Sequence, residues 1–349
     1  MAKRKTLPKD FEDHINDDEA LKKMYEKCEI NAYFGYDRNT ALFYPVSENM
    51  VKWLIENGAD INFVNRSGET PLLHLSMILS CEENALLLIK YGADVNFKDA
   101  IFHRTALFRA AEKGMIKLYD ALVNAGADSE ERDFGGNSPL EAAFGTASTF
   151  DLIRLEPITR HLIENGTAVT DDMKKSFLRV AEDIEFRRKS FNQDSVPELD
   201  KALESLYSLL DVEPVPKRAE YDEKTPITVK SRKWQEQQNE LWNLLVPGSG
   251  HAGTVQGEVI RITGILTHEI LDNGCCNWDR DFNAIAKALK GYLGGGNRLS
   301  DSEYDEINAL CSDMRNKGKE ELYRLAELSV KWVLNNPQPV KADKIAYKR

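Results

Sequence analysis

The chain of 349 residues has only five cysteines, Cys28, Cys81, Cys275, Cys276 and Cys311, odd in number and without metal-site spacing. That usage excludes a disulfide-stapled secreted scaffold and points to reduced thiols in a cytoplasmic protein. Adjacent cysteines bridge only under strain, so Cys275-Cys276 is not read as a redox pair. No stretch approaches the roughly 18 unbroken apolar residues that a transmembrane helix needs, and no membrane role is expected. The start, Met1-Ala2-Lys3-Arg4-Lys5, is basic, but polar and acidic residues follow where a signal peptide requires an apolar run. Positive charge is also short: 46 Lys and Arg stand against 57 Asp and Glu, a formal net charge of −11. That balance argues against a nucleic-acid binder and would suit a basic protein partner.

Catalytic signatures are missing as well. No Gly-x-Gly-x-x-Gly follows a strand, and no Gly-Lys-Ser/Thr loop is present to cradle phosphate. His268-Glu269 lacks the second histidine of a zinc protease helix, and Gly248-Ser249-Gly250-His251 lacks the spacing of a hydrolase elbow. Gly294-Gly295-Gly296 has no strand before it and reads as a hinge. The chain is therefore expected to be non-enzymatic, with no cofactor and no metal.

What the chain does carry is a recurring phrase. It reads Glu56-Asn57-Gly58-Ala59-Asp60-Ile61-Asn62, then Lys90-Tyr91-Gly92-Ala93-Asp94-Val95-Asn96, then Asn124-Ala125-Gly126-Ala127-Asp128-Ser129-Glu130, with its glycines 34 residues apart. Openings of the form Thr/Ser-x-Leu follow each copy at Thr70-Pro71-Leu72, Thr105-Ala106-Leu107 and Ser138-Pro139-Leu140. The hydroxyls can each supply an N-cap, and Pro71 and Pro139 suit a first helical turn. The glycines end the second helix of each unit with a positive φ. An earlier copy opens near Asn39-Thr40-Ala41-Leu42, and a diverged one runs from Ser138 to Gly166 with an insertion around 145–155.

Two sub-motifs holding register over several copies resemble the ankyrin repeat. The resemblance implies an all-α fold: an ankyrin-repeat solenoid of about four repeats with helical caps, followed by a separate small helical bundle. The expected organisation is a capping helix in 1–38, with Asp10 to Ala32 amphipathic and the first residues frayed, then repeats in 39–168 and capping helices in 169–211. A Pro-broken linker in 212–230, a helical domain in 231–336 built from four helices, the fourth from about Asp301 to Val333, and a loose tail in 337–349 complete it.

Arrays of this kind bind proteins through their turn tips and concave helix row, because those positions do not hold up the stack. The register places Phe63, Arg66 and Glu69 at the first tip, Phe97, Ile101, Phe102 and His103 at the second, and Phe134 at the third. His74 and Arg109 stand in the helix row. Aromatic side chains on exposed turns are costly without a partner. Phe63 and Phe97 can also fold back onto their neighbours.

The second half contains a phrase similar to an uncharacterised bacterial domain, Leu245-Val246-Pro247, then Gln256-Gly257-Glu258 and Arg261, then Asn277-Trp278-Asp279. Glu258, Arg261, His268 and Asp272 form a polar line along one helix, read here as a solvated face with one Glu–Arg pair. Glycine inside that helix, at about 1 kcal/mol against alanine, implies that another helix comes close. The competing reading makes residues 231–336 an enzyme or small-ligand module targeted by the repeats. It needs Glu258 and Arg261 to meet Trp242, Trp278 or His251 in a pocket, with Gln256 beside them. Overall the sequence reads as a protein-binding adaptor or inhibitor. A bacterial origin and acidic charge would suit an immunity protein that covers a toxin's active site.

Overall fold

The computed structural model describes residues 2–342, 347 and 348. Its contacts divide the chain into two compact units. Unit 1 comprises residues up to 182 plus 194–215, and unit 2 comprises 183–193 plus 216–349. Neither unit follows the boundaries expected from composition.

Unit 1 starts with strands rather than one long helix. β1 (Arg4–Thr6) pairs parallel with β2 (Cys28–Phe34), and β2 pairs antiparallel with β3 (Asn39–Thr40). The expected helix over 10–32 shrinks to α1 (Asp18–Tyr25), capped by the Asp17 carboxylate accepting from the Ala20 amide. Beyond Tyr25 the side chains that reach the interior are Cys28 and Ala32, a spacing the extended chain buries against β1. The first residues are therefore not frayed: the Leu7 amide donates to the Tyr33 carbonyl at 2.9 Å and Leu7 is buried. Among the described residues the fold is mostly helical, with this single three-stranded sheet.

The helical pairs follow. A single 3-10 turn at Ala41–Phe43 and α2 (Glu48–Glu56) form the first. α3 (Pro71–Leu75) with α4 (Glu82–Lys90), α5 (Ala106–Lys113) with α6 (Ile116–Asn124), and α7 (Pro139–Thr146) with α8 (Asp151–Glu164) form the others. Thr70 and Ser138 cap as their position suggested, and Ser138 makes a full capping box with Glu141. The insertion expected in the last copy is mostly helix. α8 has 14 residues where α4 and α6 have 9, with Pro157 inside it. Leu54, Leu72, Leu88, Leu107, Leu118, Leu122 and Leu140 are buried in a continuous core. Phe144 reaches Phe177 on α9 (Asp171–Arg187), which in turn meets Tyr207 on α10 (Val196–Leu209).

Gly114 sits at the turn between α5 and α6 with φ 69°. A Cβ there would lie 2.5 Å from the Arg154 carbonyl oxygen. Gly114→Ala is expected to destabilise unit 1 by about 2–3 kcal/mol, from left-handed backbone plus overpacking, as read from amide hydrogen exchange across α5 and α6.

Among the described residues after 230, unit 2 has five α-helices, not four: α11 (Trp234–Leu245), α12 (Val255–Leu271), α13 (Arg280–Leu293), α14 (Asp301–Cys311) and α15 (Lys319–Asn335). The last two were expected as one helix. The break comes at Asp313, in left-handed backbone with φ 50°, and at Gly318 before α15. α12 is the central helix and packs against α11, α13 and α15. The three glycines after α13 are a packed turn rather than a hinge. A side chain at Gly294 would meet Tyr304, one at Gly296 would meet Asn336, and the Trp332 indole donates to the Gly295 carbonyl at 3.1 Å.

The segment after α15, expected as a loose tail, is hydrogen bonded. The Pro337 carbonyl accepts from Ile227 at 2.7 Å, the Val340 carbonyl from Val255 at 2.7 Å, and Ala342 donates to the Gly253 carbonyl at 2.9 Å. Of that tail, residues 343–346 and 349 lie outside the described residues. The expected linker has no helix or strand, but Arg218 in it donates to the carbonyls of Phe186, Asn243, Trp242 and Val246. Among the described residues no helix is long and apolar enough to cross a membrane.

Candidate functional site

The turns of unit 1 are opened by the aspartates of the repeated phrase. Asp60, Asp94 and Asp128 each accept, at 2.9 Å, from the amide two residues on. The asparagines of the phrase work between repeats. Asn62 accepts from the Asp94 amide at 2.8 Å and Asn96 from the Asp128 amide at 3.4 Å. Asn31 in β2 does the same for Asp60 at 2.8 Å. The N-terminal segment is thus a partial repeat, its strand standing where a turn would be.

The tips also bond to one another. Arg66 donates its amide to the Asp37 carbonyl at 2.7 Å, and Phe134 donates to the Phe102 carbonyl at 2.8 Å. Beneath them runs an ion-pair network. Arg104 grips Asp133 through Nε at 3.0 Å and Nη2 at 2.8 Å, and Glu112 through Nη1 at 2.6 Å. Arg109 reaches Asp99 at 3.3 Å and Glu112 at 3.4 Å. Asp99 in turn accepts from the amides of Ile101 and Phe102. Charge therefore fixes the shape of the second and third tips.

This geometry sorts the candidate residues. Phe134 is 80% exposed, Ile101 72% and Phe102 51%. His103 is exposed in left-handed backbone, with its ring 5.9 Å from that of Phe134. Arg66 is exposed, its guanidinium 4.1 Å above the Tyr36 ring. Phe63 and Phe97 are half-buried. His74 is held by Glu69 at 3.1 Å and lies against the Phe43 ring, so both are internally engaged. Arg109 belongs to the ion-pair network rather than to an open face. Tyr36, 75% exposed, was missed. Reading 1–38 as a partial repeat would have placed it at a tip.

In unit 2 the motif residues turn inward. Glu258 is fully buried and Arg261 nearly so, which overturns the solvated face; only His268 and Asp272 on that line are exposed, paired to each other at 2.7 Å. Arg261 donates to Glu258 through Nε at 2.7 Å and Nη2 at 2.9 Å, and the Ala252 amide donates at 2.6 Å. The Tyr347 hydroxyl completes the set on the second carboxylate oxygen. Burial pushes the Glu258 carboxyl up, but these donors outweigh it and hold it below the ordinary range. Burial, and then the same carboxylate, push the Tyr347 phenol far up. His251 lies 3.0 Å from Arg261 Nη2 and borders a cleft of about 660 Å³ with Arg218, Tyr221 and Ser249.

Gln256 clamps the C-terminal segment, donating to the carbonyls of Asn336 and Gln338 at 2.8 and 2.7 Å and accepting from Val340 at 3.0 Å. Trp242 and Trp278 do not join Glu258. Trp242 stacks on Phe186 and fills the space above Gly264, while Trp278 stacks on Phe282. The close approach inferred at Gly257 is made by the Leu245 carbonyl and Ala252. A further buried acid, Glu269, was missed. It accepts from the Asn277 amide at 2.7 Å and from the Asn273 side chain at 3.0 Å, shaping the Asn273–Trp278 loop.

Paired helices joined by hydrogen-bonded tips, with asparagines linking each turn to the next, make unit 1 an ankyrin-repeat array. Residues 13–99 match the family described as Ankyrin repeats (3 copies). The match begins before residue 39, in keeping with the partial repeat around α1. Among curated proteins, the chain is 35% identical over 117 residues to mouse B-cell lymphoma 3 protein homolog, covering 31% of this chain and 25% of that protein. It is 29% identical over 117 residues to human Ankyrin repeat and SOCS box protein 6, covering 33% and 28%. Human Ankyrin repeat and KH domain-containing protein 1 is 35% identical over 107 residues, covering 30% and 4%. The chain thus spans about a quarter of the length of the first two.

Proposed function

We propose that the chain is a non-enzymatic adaptor or inhibitor that docks a protein partner on the tips of its second and third turns. The observation that carries this is the exposure of Ile101, Phe102 and Phe134 on tips whose shape is already fixed by the ion pairs beneath them. Rigid apolar anchors of this kind lose little entropy on binding. Cations near the tips are already engaged, Lys98 with Glu131 and Arg132 with Glu141, so contact falls to the apolar side chains. The net charge of −11 would steer a basic partner. Support for the non-enzymatic form is that Glu258 and Arg261 are buried and satisfied internally. An inhibitor covering its target's active site, such as a cytoplasmic immunity protein, is the more specific form of this reading. The relatives named above, from mouse and human, do not speak for a bacterial origin.

The test is affinity purification of the tagged chain from its native cells, beside the Phe102→Ala/Phe134→Ala double variant. The wild-type chain is expected to hold a partner, and the variant to bind it at least about 30-fold more weakly with unchanged unfolding. Equal retention by both chains, or no partner at any salt concentration, would sink the proposal.

A further inference from the structure

Unit 2 has a second cleft, of about 440 Å³, that none of the readings above uses. Trp278, Lys287, Lys290, Cys311, Asp313 and Arg315 border it. Lys287 and Lys290 fall with Asn283 on one face of α13, at steps of four and three. Arg315 comes from the 3-10 turn Met314–Asn316 that follows α14. Among the described residues, no carboxylate stands within ion-pair distance of Lys287, Lys290 or Arg315. Nearby cations behave otherwise: Lys317 pairs with Glu321 at 3.0 Å, and Arg324 with Glu306 at 2.9 Å and Glu327 at 2.7 Å. In a chain with 57 acidic residues against 46 basic ones, three cations around one cleft with a single carboxylate on its rim, Asp313, leave a net positive local field.

The remaining walls fit the same chemistry. Asp313, the acid on the rim, already accepts from the Asn316 side chain with both oxygens at 2.9 Å. The Cys311 thiol is pushed up to about 11 by burial, with Lys290 and Lys317 opposing, so it is a neutral wall and not a nucleophile. Phe282 stacks on Trp278 at 5.2 Å and 19°, and the indole nitrogen donates to Asn283 at 3.2 Å. The ring is therefore held in place before any ligand arrives.

We propose that this cleft binds a mononucleotide, with its phosphate on Lys287, Lys290 and Arg315 and its base against Trp278. Arginine and lysine together suit a phosphate dianion. Stacking on an indole accepts any base, so no base preference follows. The volume lies within the roughly 300–1,000 Å³ usual for small-ligand sites.

Calorimetric titration of the full chain with AMP, adenosine and inorganic phosphate tests it. AMP is expected to bind saturably, one per chain, and more weakly as salt rises. Adenosine and phosphate are each expected to bind at least about tenfold more weakly than AMP. Lys287 and Lys290 are exposed, so Lys287→Ala/Lys290→Ala leaves the core intact and is expected to weaken AMP about tenfold or more. The proposal is overturned if AMP binds no more tightly than phosphate, if AMP does not bind, or if the double variant binds it as the wild type does.

Discussion

Glu258→Ala is expected to destabilise unit 2 by about 3–5 kcal/mol, because it leaves the Arg261 guanidinium buried without its counter-charge. It also strands the Ala252 amide and the Tyr347 hydroxyl. Removing both charges, as in Glu258→Gln/Arg261→Met, is expected to cost less than the single change, since no unpaired ion is then left inside. Two units make a single unfolding free energy ill-defined, so amide hydrogen exchange along α12 is the appropriate measurement. The pH dependence follows from the depressed carboxyl of Glu258. A group whose folded pKa lies below its unfolded one contributes stability in full above the ordinary value of 4.5. That contribution is lost as pH falls below 4.5 through the folded value. Wild-type protection along α12 is therefore expected to fall on that acid limb, and the double variant to be flatter there. Equal protection in wild type and Glu258→Ala at neutral pH would contradict the assignment.

Phe177→Ala is expected to be as damaging to unit 1, at about 3–5 kcal/mol. Phe177 is fully buried between Phe144, in the last repeat, and Tyr207 on α10, with ring centroids 6.4 and 5.0 Å away. Its loss opens the end of a stack whose last repeat cannot cover its own apolar face. Protection from exchange is expected to fall first in α7 and α8, with rising aggregation and with unit 2 unchanged. Loss of protection confined to α9 and α10 would mean that these helices do not cap the array.

Much of unit 1 was legible from one line of text. Gly58, Gly92 and Gly126 all adopt positive φ, and Thr70 and Ser138 cap the helices they precede. Such positions declare themselves because local backbone geometry demands particular residues. The N-terminal segment hid because α1 carries helix-forming charge while Cys28 to Phe34 takes its conformation from pairing with β1, a partner more than twenty residues away. Glu258 and Arg261 were misplaced for a related reason. Helical spacing puts them on a polar line, and periodicity alone cannot distinguish a face turned to water from one turned to Ala252 and Tyr347. Exposure at the tips was only half visible: all three aromatics lie on turns, yet Phe63 and Phe97 are half-buried, while Phe134, placed further along its turn, is open.

The sequence by itself determined the repeat, its period, the caps at Thr70 and Ser138 and the tight turns, because each depends on contacts within a few residues. Tertiary structure alone decided the fate of the side chains. It turned Arg109 and His74 into internal partners, left Ile101, Phe102 and Phe134 open, buried Glu258 with Arg261, and docked residues 337–342 against α12 and the loop before it. These outcomes rest on groups brought together from distant parts of the chain, where burial and pairing outweigh local preference.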